Sequence, residues 1–272
     1  MLTSIWEFNK KASKPKVKEE LPKTQLLAPL LDKYLEDQQP DLEGGHRRGF
    51  VFHPSQITRD ACPRKLQIEF LTNAIGNNWI VGAKPIDGRL RRIFDNGTMT
   101  HRRLQKYLKD MSAFPEYGVN LVQEEAPIFE PIYRIGGHTD GIIEINGERF
   151  ILEIKTINSY GFNKLKEPYA KHVDQAHLYM YCTGIKKALF FYEDKNTQKV
   201  KDFVVDFDPV IMSIILEKLG AIKEAIINKR LVESEYLTCN KCDFKDICKM
   251  SWEDLFKPGY FDWEKGEWID AE

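Results

Sequence analysis

Apolar and polar residues alternate on both sides of Asn146-Gly147 in the stretch His138 to Thr156, HTDGIIEINGERFILEIKT. Period-two alternation marks strands whose two faces meet different surroundings. Asn-Gly favours a two-residue turn, because both central positions need φ above zero. The stretch therefore predicts an antiparallel hairpin. Facing residues then have indices with the same sum as 146 and 147, which sets Asp140 opposite Glu153, His138 opposite Lys155 and Glu144 opposite Arg149. Asp140, Glu153 and Lys155 fall on one face, with Ile143, Phe150, Leu152 and Ile154 on the other.

The same reading predicts the neighbouring elements. Ser55 can cap a short helix, and Cys62-Pro63 opens another, since Pro suits the first helical position. Asn96 or Thr98 can cap a helix running to about Lys109, with His101, Leu104 and Leu108 on one face. A loop containing Pro115, Pro127 and Pro131 leads to a strand near Tyr133 and so into the hairpin. A helix follows around His172 to Tyr181, in which Gln175 and Tyr179, four apart, lie one above the other. Strands at Lys187 to Tyr192 and Val200 to Phe207 precede an amphipathic helix from Pro209 to about Lys229, with Ile211, Ile214, Ile215, Ile222 and Ile226 toward the core. Strand pairs interleaved with packed helices give an α/β class.

A chain of 272 residues with 42% hydrophobic content can bury one large domain or two small ones. Residues 1–45, with the basic run Lys10, Lys11, Lys14, Lys16 and Lys18, read as a peripheral arm or surface helix, and residues 46–272 as the main domain. Forty basic residues against 41 acidic ones leave a net charge of -1, so nucleic-acid binding must come from local clusters. Residues 84–110 supply one, with Arg91, Arg92 and Arg102 among eight cations against three aspartates. Arg64 and Lys65 supply another in the first turn after Pro63, where cations oppose the helix dipole and hint at an anionic partner. The acidic tail from Glu253 to Glu272, flanked and interrupted by Trp252, Trp263 and Trp268, fits packing on the core, contact with a partner or competition with DNA. No apolar run approaches eighteen residues and no signal-peptide core is present, which predicts a soluble, cytoplasmic protein with no membrane partner.

Facing carboxylates repel unless something positive lies between them. Either the face of Asp140, Glu153 and Lys155 is solvated, or it holds a divalent cation with Lys155 beside it. Gly136, Gly137 and Gly141 favour the second reading, because they strip bulk from the backbone beside Asp140 and suggest close approach of a ligand. The spacing of Asp140 to Glu153-Xaa-Lys155 resembles the signature of the PD-(D/E)XK nuclease superfamily. Asn96-Gly97-Thr-Met-Thr-His101 resembles the Gly-Xaa-Xaa-Xaa-His motif of its RecB-like members, and Gln175 to Tyr179 their Gln-Xaa-Xaa-Xaa-Tyr motif. The resemblance implies a restriction-endonuclease-like mixed sheet flanked by helices. It also implies Mg2+ or Mn2+ held by His101, Asp140, Glu153 and the Ile154 carbonyl, with Lys155, Gln175 and Tyr179 completing the site.

Five cysteines, an odd number in a chain without a secretion signal, argue against a disulfide framework. Cys239-Asn-Lys-Cys242 and then Cys248 can converge on one soft centre, with Cys62 as the remaining ligand and Cys182 as a packing residue. Spacing alone admits zinc as well as an iron-sulfur cluster. The order of all these motifs resembles the iron-sulfur RecB-like exonucleases, a group that includes the CRISPR-adaptation exonuclease and the AddB nuclease domain. That resemblance implies a 4Fe-4S cluster joining the N- and C-terminal parts. It further implies a DNA exonuclease acting on single-stranded ends in recombination, end-processing or CRISPR-type adaptation. The chain has no Walker-type loop, so any helicase or recombination motor is a separate partner. The competing reading is a non-catalytic DNA-binding or assembly subunit that carries a cluster.

Overall fold

The computed structural model describes residues 27–37, 50–75, 87–233, 242, 244–256 and 258–271. These fall into two units. The first comprises α1 (Ala28–Asp37), which buries no side chain, and residues 87–92. Within it Arg92 pairs with Asp32, and the Gly88 amide donates to Glu36 Oε1 at 3.4 Å. The expected basic arm lies outside the described residues, apart from this helix.

The second unit is built on a five-stranded sheet in the order β1-β4-β5-β6-β7, formed by β1 (Val119–Glu124), β4 (Gly141–Ile145), β5 (Glu148–Ile157), β6 (Lys187–Asp194) and β7 (Val200–Asp206). All neighbours are antiparallel except β5 and β6. That parallel pair requires a crossover, which α4 (Ser159–Lys164) and α5 (Ala170–Thr183) provide. The hairpin has the expected register, from Gly141 opposite Leu152 to Ile145 opposite Glu148. Asn146 and Gly147 sit at φ of 51° and 85°, as the tight turn demands.

On one face, Ile143, Phe150, Leu152 and Ile154 pack with Leu104 of α3 (Gly88–Met111) and Leu189. On the other, Ile151, Phe190 and Tyr192 join a larger core with Leu178 and Met180 of α5 and Ile215, Leu219 and Ile222 of α6 (Pro209–Ile227). The result is a mixed α/β domain, a five-stranded mixed sheet flanked by helices, the architecture the sequence leads one to expect.

Several elements differ from their expectation. α3 starts well before Asn96 and Thr98, because Asp87 Oδ1 accepts from the Leu90 amide at 2.7 Å and so satisfies the free end. Thr98 and Thr100 instead bond back to the carbonyls of Phe94 and Asn96, as hydroxyls inside helices do. The proline-containing loop holds two strands, β1 and β2 (Pro127–Glu130), with Pro127 tolerated as a first strand residue. β2 pairs with β3 (Ile135–His138) in a separate two-stranded sheet, which places His138 opposite Pro127 rather than Lys155. The chain changes sheets at Thr139, whose amide donates to Ala126 O at 3.0 Å.

Pro63 opens α2 (Pro63–Ile75) as expected, but Ser55 lies in a turn closed by the Gln56 amide on His53 O, with no helix behind it. In α6 the buried stripe runs through Met212, Ile215, Leu219, Ile222 and Ile226, and Ile214 is exposed. The tail packs on the core through α7 (Trp252–Leu255) and the hairpin of β8 (Gly259–Asp262) and β9 (Glu267–Asp270). Phe261 and Trp263 both close on Phe70 of α2, with ring centroids at 5.1 and 5.7 Å. Among the described residues no helix is long and apolar enough to cross a membrane.

Candidate active site

β5 is buried on both faces, and its period-two geometry puts Glu153 and Lys155 on one side. Asp140 immediately precedes β4, and its Oδ2 accepts from the Ile154 amide at 2.7 Å, which fixes the carboxylate against β5. Its Oδ1 lies 3.3 Å from His101 Nδ1 on α3. One turn further along α3, the buried Gln105 Nε2 donates to Asp140 O at 2.8 Å and to Glu125 Oε1 at 2.9 Å. Gln105 thus ties the helix that carries His101 to the backbone that carries Asp140. Gln105→Leu leaves both acceptors without this donor and is expected to cost about 1–3 kcal/mol, measured by urea unfolding.

Burial decides the electrostatics. Glu153 is completely buried, and its two carboxylate oxygens have no aligned hydrogen-bond donor, although Lys155 Nζ approaches Oε2 at 2.6 Å. The two side chains leave the same strand two residues apart, so the contact is an ion pair rather than a well-directed bond. Burial pushes the Glu153 carboxyl up to about 7, helped by the Asp140 charge and opposed by Lys155 and His101. Burial pulls the Lys155 ammonium down, but the charges of Glu153 and Asp140 outweigh it and hold its pKa above the ordinary value. Burial likewise lowers His101, and the hydrogen bond and charge of Asp140 more than offset this.

Lys155 Nζ is 3.5 Å from Gln175 Oε1, and Gln175 Nε2 donates to the Tyr179 hydroxyl at 3.1 Å. Burial and the Glu153 charge push Tyr179 upward, so it serves as a neutral phenol. Two contact groups therefore meet at Ile154: His101 with Asp140, whose carboxylate accepts from the Ile154 amide, and Glu153 with Lys155 on either side of Ile154, continuing to Gln175 and Tyr179. Gln105 is the residue the sequence reading missed, although its position four residues after His101 places it on the same helix face. Glu125, the other acceptor of Gln105, stands out by its left-handed backbone at φ 44°.

Among the described residues, no three His, Cys, Asp or Glu side chains form a group that could hold a metal ion. The donor set of one imidazole and two carboxylates nevertheless suits a hard divalent cation, and the buried Glu153 carboxylate, paired with Lys155 but accepting no well-aligned hydrogen bond, has capacity left for one. The glycines have another explanation. A Cβ on Gly136 would meet Val51 at 3.0 Å, one on Gly137 would meet Pro54 at 3.2 Å, and one on Gly141 would meet Gln123 O at 3.0 Å. The close approach expected of a ligand is made by the chain itself.

His101, Asp140 and Gln105 open onto a cleft of about 820 Å³, which the exposed Arg102 also lines. Arg91 and Arg92 belong to the first unit. Arg64 donates to Val232 O at 2.8 Å and Cys248 O at 2.7 Å, and Lys65 lies 3.5 Å from Glu69 and over the Phe244 ring. These bonds bring the start of α2, just after Cys62, to the segment that carries Cys248. Cys239 lies outside the described residues. Cys62, Cys182, Cys242 and Cys248 form no disulfide, and Cys182 packs against the core with its thiol pushed by burial up to about 12.

No protein-family model matches the chain, and no curated protein matches it. Among solved structures, a protein designated SSO0001 is similar at 18% identity over 83% of this chain and 97% of its own, with a TM-score of 0.43. An alkaline exonuclease, LHK-Exo from Laribacter hongkongensis, is similar at 19% identity over 65% of this chain and 88% of its own, with a TM-score of 0.42. The same enzyme in complex with dAMP gives 20% identity over 62% and 87%, with a TM-score of 0.39.

Proposed function

We propose that this protein is a divalent-metal-dependent DNA exonuclease that hydrolyses phosphodiester bonds from single-stranded ends. The observation that carries the reading is a fully buried Glu153 whose only close cationic partner among the described residues is Lys155, at 2.6 Å, next to the strand position that anchors the His101–Asp140 pair. A solvated hairpin face has no reason to bury a carboxylate in this way. His101, Asp140, Glu153 and the Ile154 carbonyl would hold Mg2+ or Mn2+, which when bound supplies Lewis acidity to the phosphodiester and the attacking water.

Lys155 stays protonated between Glu153 and Gln175, placed to stabilise negative charge developing on the phosphate. Asp140 is kept ready by the Ile154 amide, and Gln175 with Tyr179 orients the lysine. Arg102 on the cleft would hold the DNA backbone independently of sequence, with Lys65, and, in the first unit by itself, Arg91 and Arg92 as further candidate phosphate contacts. Arg64 contributes chiefly through the carbonyl bonds that fix α2.

We assign the 4Fe-4S cluster to Cys62, Cys239, Cys242 and Cys248, with zinc as the other thiolate-bound centre that would fit. The seam made by Arg64, and by Gln67 with Arg230 and Val232, supports a join at that place. Anaerobically purified protein is expected to be coloured and to contain iron and acid-labile sulfide, and Cys242→Ala is expected to lose both. Stoichiometric zinc without iron would reassign the centre.

A second reading, a DNA-binding or assembly subunit with a silent core, is favoured by one observation: no three metal-type side chains converge among the described residues. Single-stranded DNA labelled separately at each end separates the two, with products resolved over time in Mn2+ or in EDTA. Short products released only with metal support the exonuclease. DNA binding without any metal-dependent cleavage supports the silent subunit. The setting that fits such an activity is recombination, end-processing or CRISPR-type adaptation.

A further inference from the structure

A second pocket, of about 500 Å³, is walled by the β2–β3 sheet, the turn at Pro54 and Tyr179 of α5, and His101 is not among its lining. We infer that this pocket receives the unpaired base of a nucleotide next to the scissile phosphate. The inference rests on the nuclease reading above and adds the part of the substrate that the acidic site does not explain.

The pocket's composition selects its occupant. No lysine, arginine, aspartate or glutamate lines it; its polar side chains are His53, His138, Ser55 and the Tyr179 hydroxyl, so it offers no permanently charged group to a phosphate and no carboxylate to a hard cation. Its walls are flat and largely apolar: the ring of Phe129, which is 56% exposed, the Pro54 ring, the exposed His138 and the Tyr179 phenol. Gly136 and Gly137 carry no side chains into the space, and close packing on Val51 and Pro54 keeps them glycine. A flat, uncharged, aromatic group of limited size is the chemistry that such walls hold, and every nucleobase has that face.

Its position ties the pocket to the site in two ways. Tyr179 lines the pocket and continues through Gln175 to Lys155 and Glu153. His138 lines it as well, only two residues before Asp140, a separation of at most about 7 Å of extended chain. A nucleotide whose phosphate lies at Asp140 and Glu153 therefore needs to reach no further than its own base to enter. A paired base cannot enter, because its edge is occupied and its faces are stacked. The pocket thus gives a structural reason for preferring single strands, with stacking supplying sequence-tolerant affinity.

The test measures binding without turnover. Fluorescence anisotropy in EDTA compares a labelled oligothymidylate with an abasic strand of the same length, for wild type, Phe129→Ala and Phe129→Trp. Wild type is expected to bind the abasic strand roughly tenfold more weakly, the scale of one stacked base. Phe129→Ala should lose most of that difference while keeping its affinity for the abasic strand, and Phe129→Trp should restore it. The side chain is largely exposed, so folding should survive, and circular dichroism checks this. Equal binding of both strands by wild type, or an unchanged ratio in folded Phe129→Ala, overturns the pocket while leaving metal-dependent cleavage to stand on its own. If wild type neither binds DNA nor cleaves it in Mn2+, the nuclease reading falls and the pocket assignment with it.

Discussion

Asp140→Asn is expected to lower metal-dependent DNA cleavage by roughly 10³-fold or more, with DNA affinity and thermal stability changing little. Asparagine keeps an oxygen that can accept from the Ile154 amide, now 2.7 Å from Oδ2, so the local backbone survives. What disappears is the negative charge that faces His101 at 3.3 Å and would face the cation. Cleavage and binding should therefore separate cleanly, the first read from product release and the second from anisotropy in EDTA. Retention of most of the cleavage rate would remove Asp140 from the catalytic set.

Glu153→Gln is expected to stabilise the metal-free protein by up to about 3 kcal/mol at pH 8 while abolishing cleavage. The sign follows from the carboxyl being raised from 4.5 to about 7 in the fold. Below pH 4.5 the group is neutral in both folded and unfolded chains and costs nothing. As pH rises, the unfolded chain ionises first, so folding stability falls until about pH 7 and stays lower above it. His101 works in the same sense. Its raised pKa contributes stability below 6.5 that is lost as pH rises through the folded value. Urea unfolding in EDTA should thus show wild type and Glu153→Gln converging near pH 4.5 and diverging above pH 7, with the glutamine carbonyl still facing Lys155. A variant less stable than wild type at pH 8 would mean that the Lys155 ion pair outweighs the burial of Glu153.

The hairpin was legible because two independent local signals agreed, the period-two alternation and the Asn-Gly turn, and together they fixed its register and its buried face. Its far end was not. His138 follows the alternation, yet Thr139 pairs with Ala126 and carries the chain into another sheet, a tertiary choice that no local pattern encodes. β1 and β2 were hidden behind prolines that tolerate strand starts and edges. The start of α3 was missed because threonines that look like caps bond back to their own helix, while Asp87 further upstream satisfies the end.

At the site, the spacing and motifs named His101, Asp140, Glu153, Lys155, Gln175 and Tyr179, and the fold sets them in two contact groups around Ile154, His101 with Asp140 and Glu153 through Lys155 to Gln175 and Tyr179. Gln105 could not be distinguished from any helical glutamine until Asp140 O and Glu125 lay against it. Arg64 illustrates the opposite error. A cation in a first helical turn suggests an anion in solution, whereas here the groups that bind it are carbonyls of the chain's own C-terminal part.

The central claim is that His101, Asp140 and Glu153 hold a divalent ion despite their incomplete convergence. Calorimetric titration of the 272-residue chain with MnCl2 tests it most directly, beside Asp140→Asn and Glu153→Gln. Saturable binding of Mn2+ by wild type, weakened strongly in both variants and accompanied by proton release near pH 7 from Glu153 and His101, is the predicted result. Failure of the folded wild-type protein to bind Mn2+, or equal binding by all three proteins, would contradict the account.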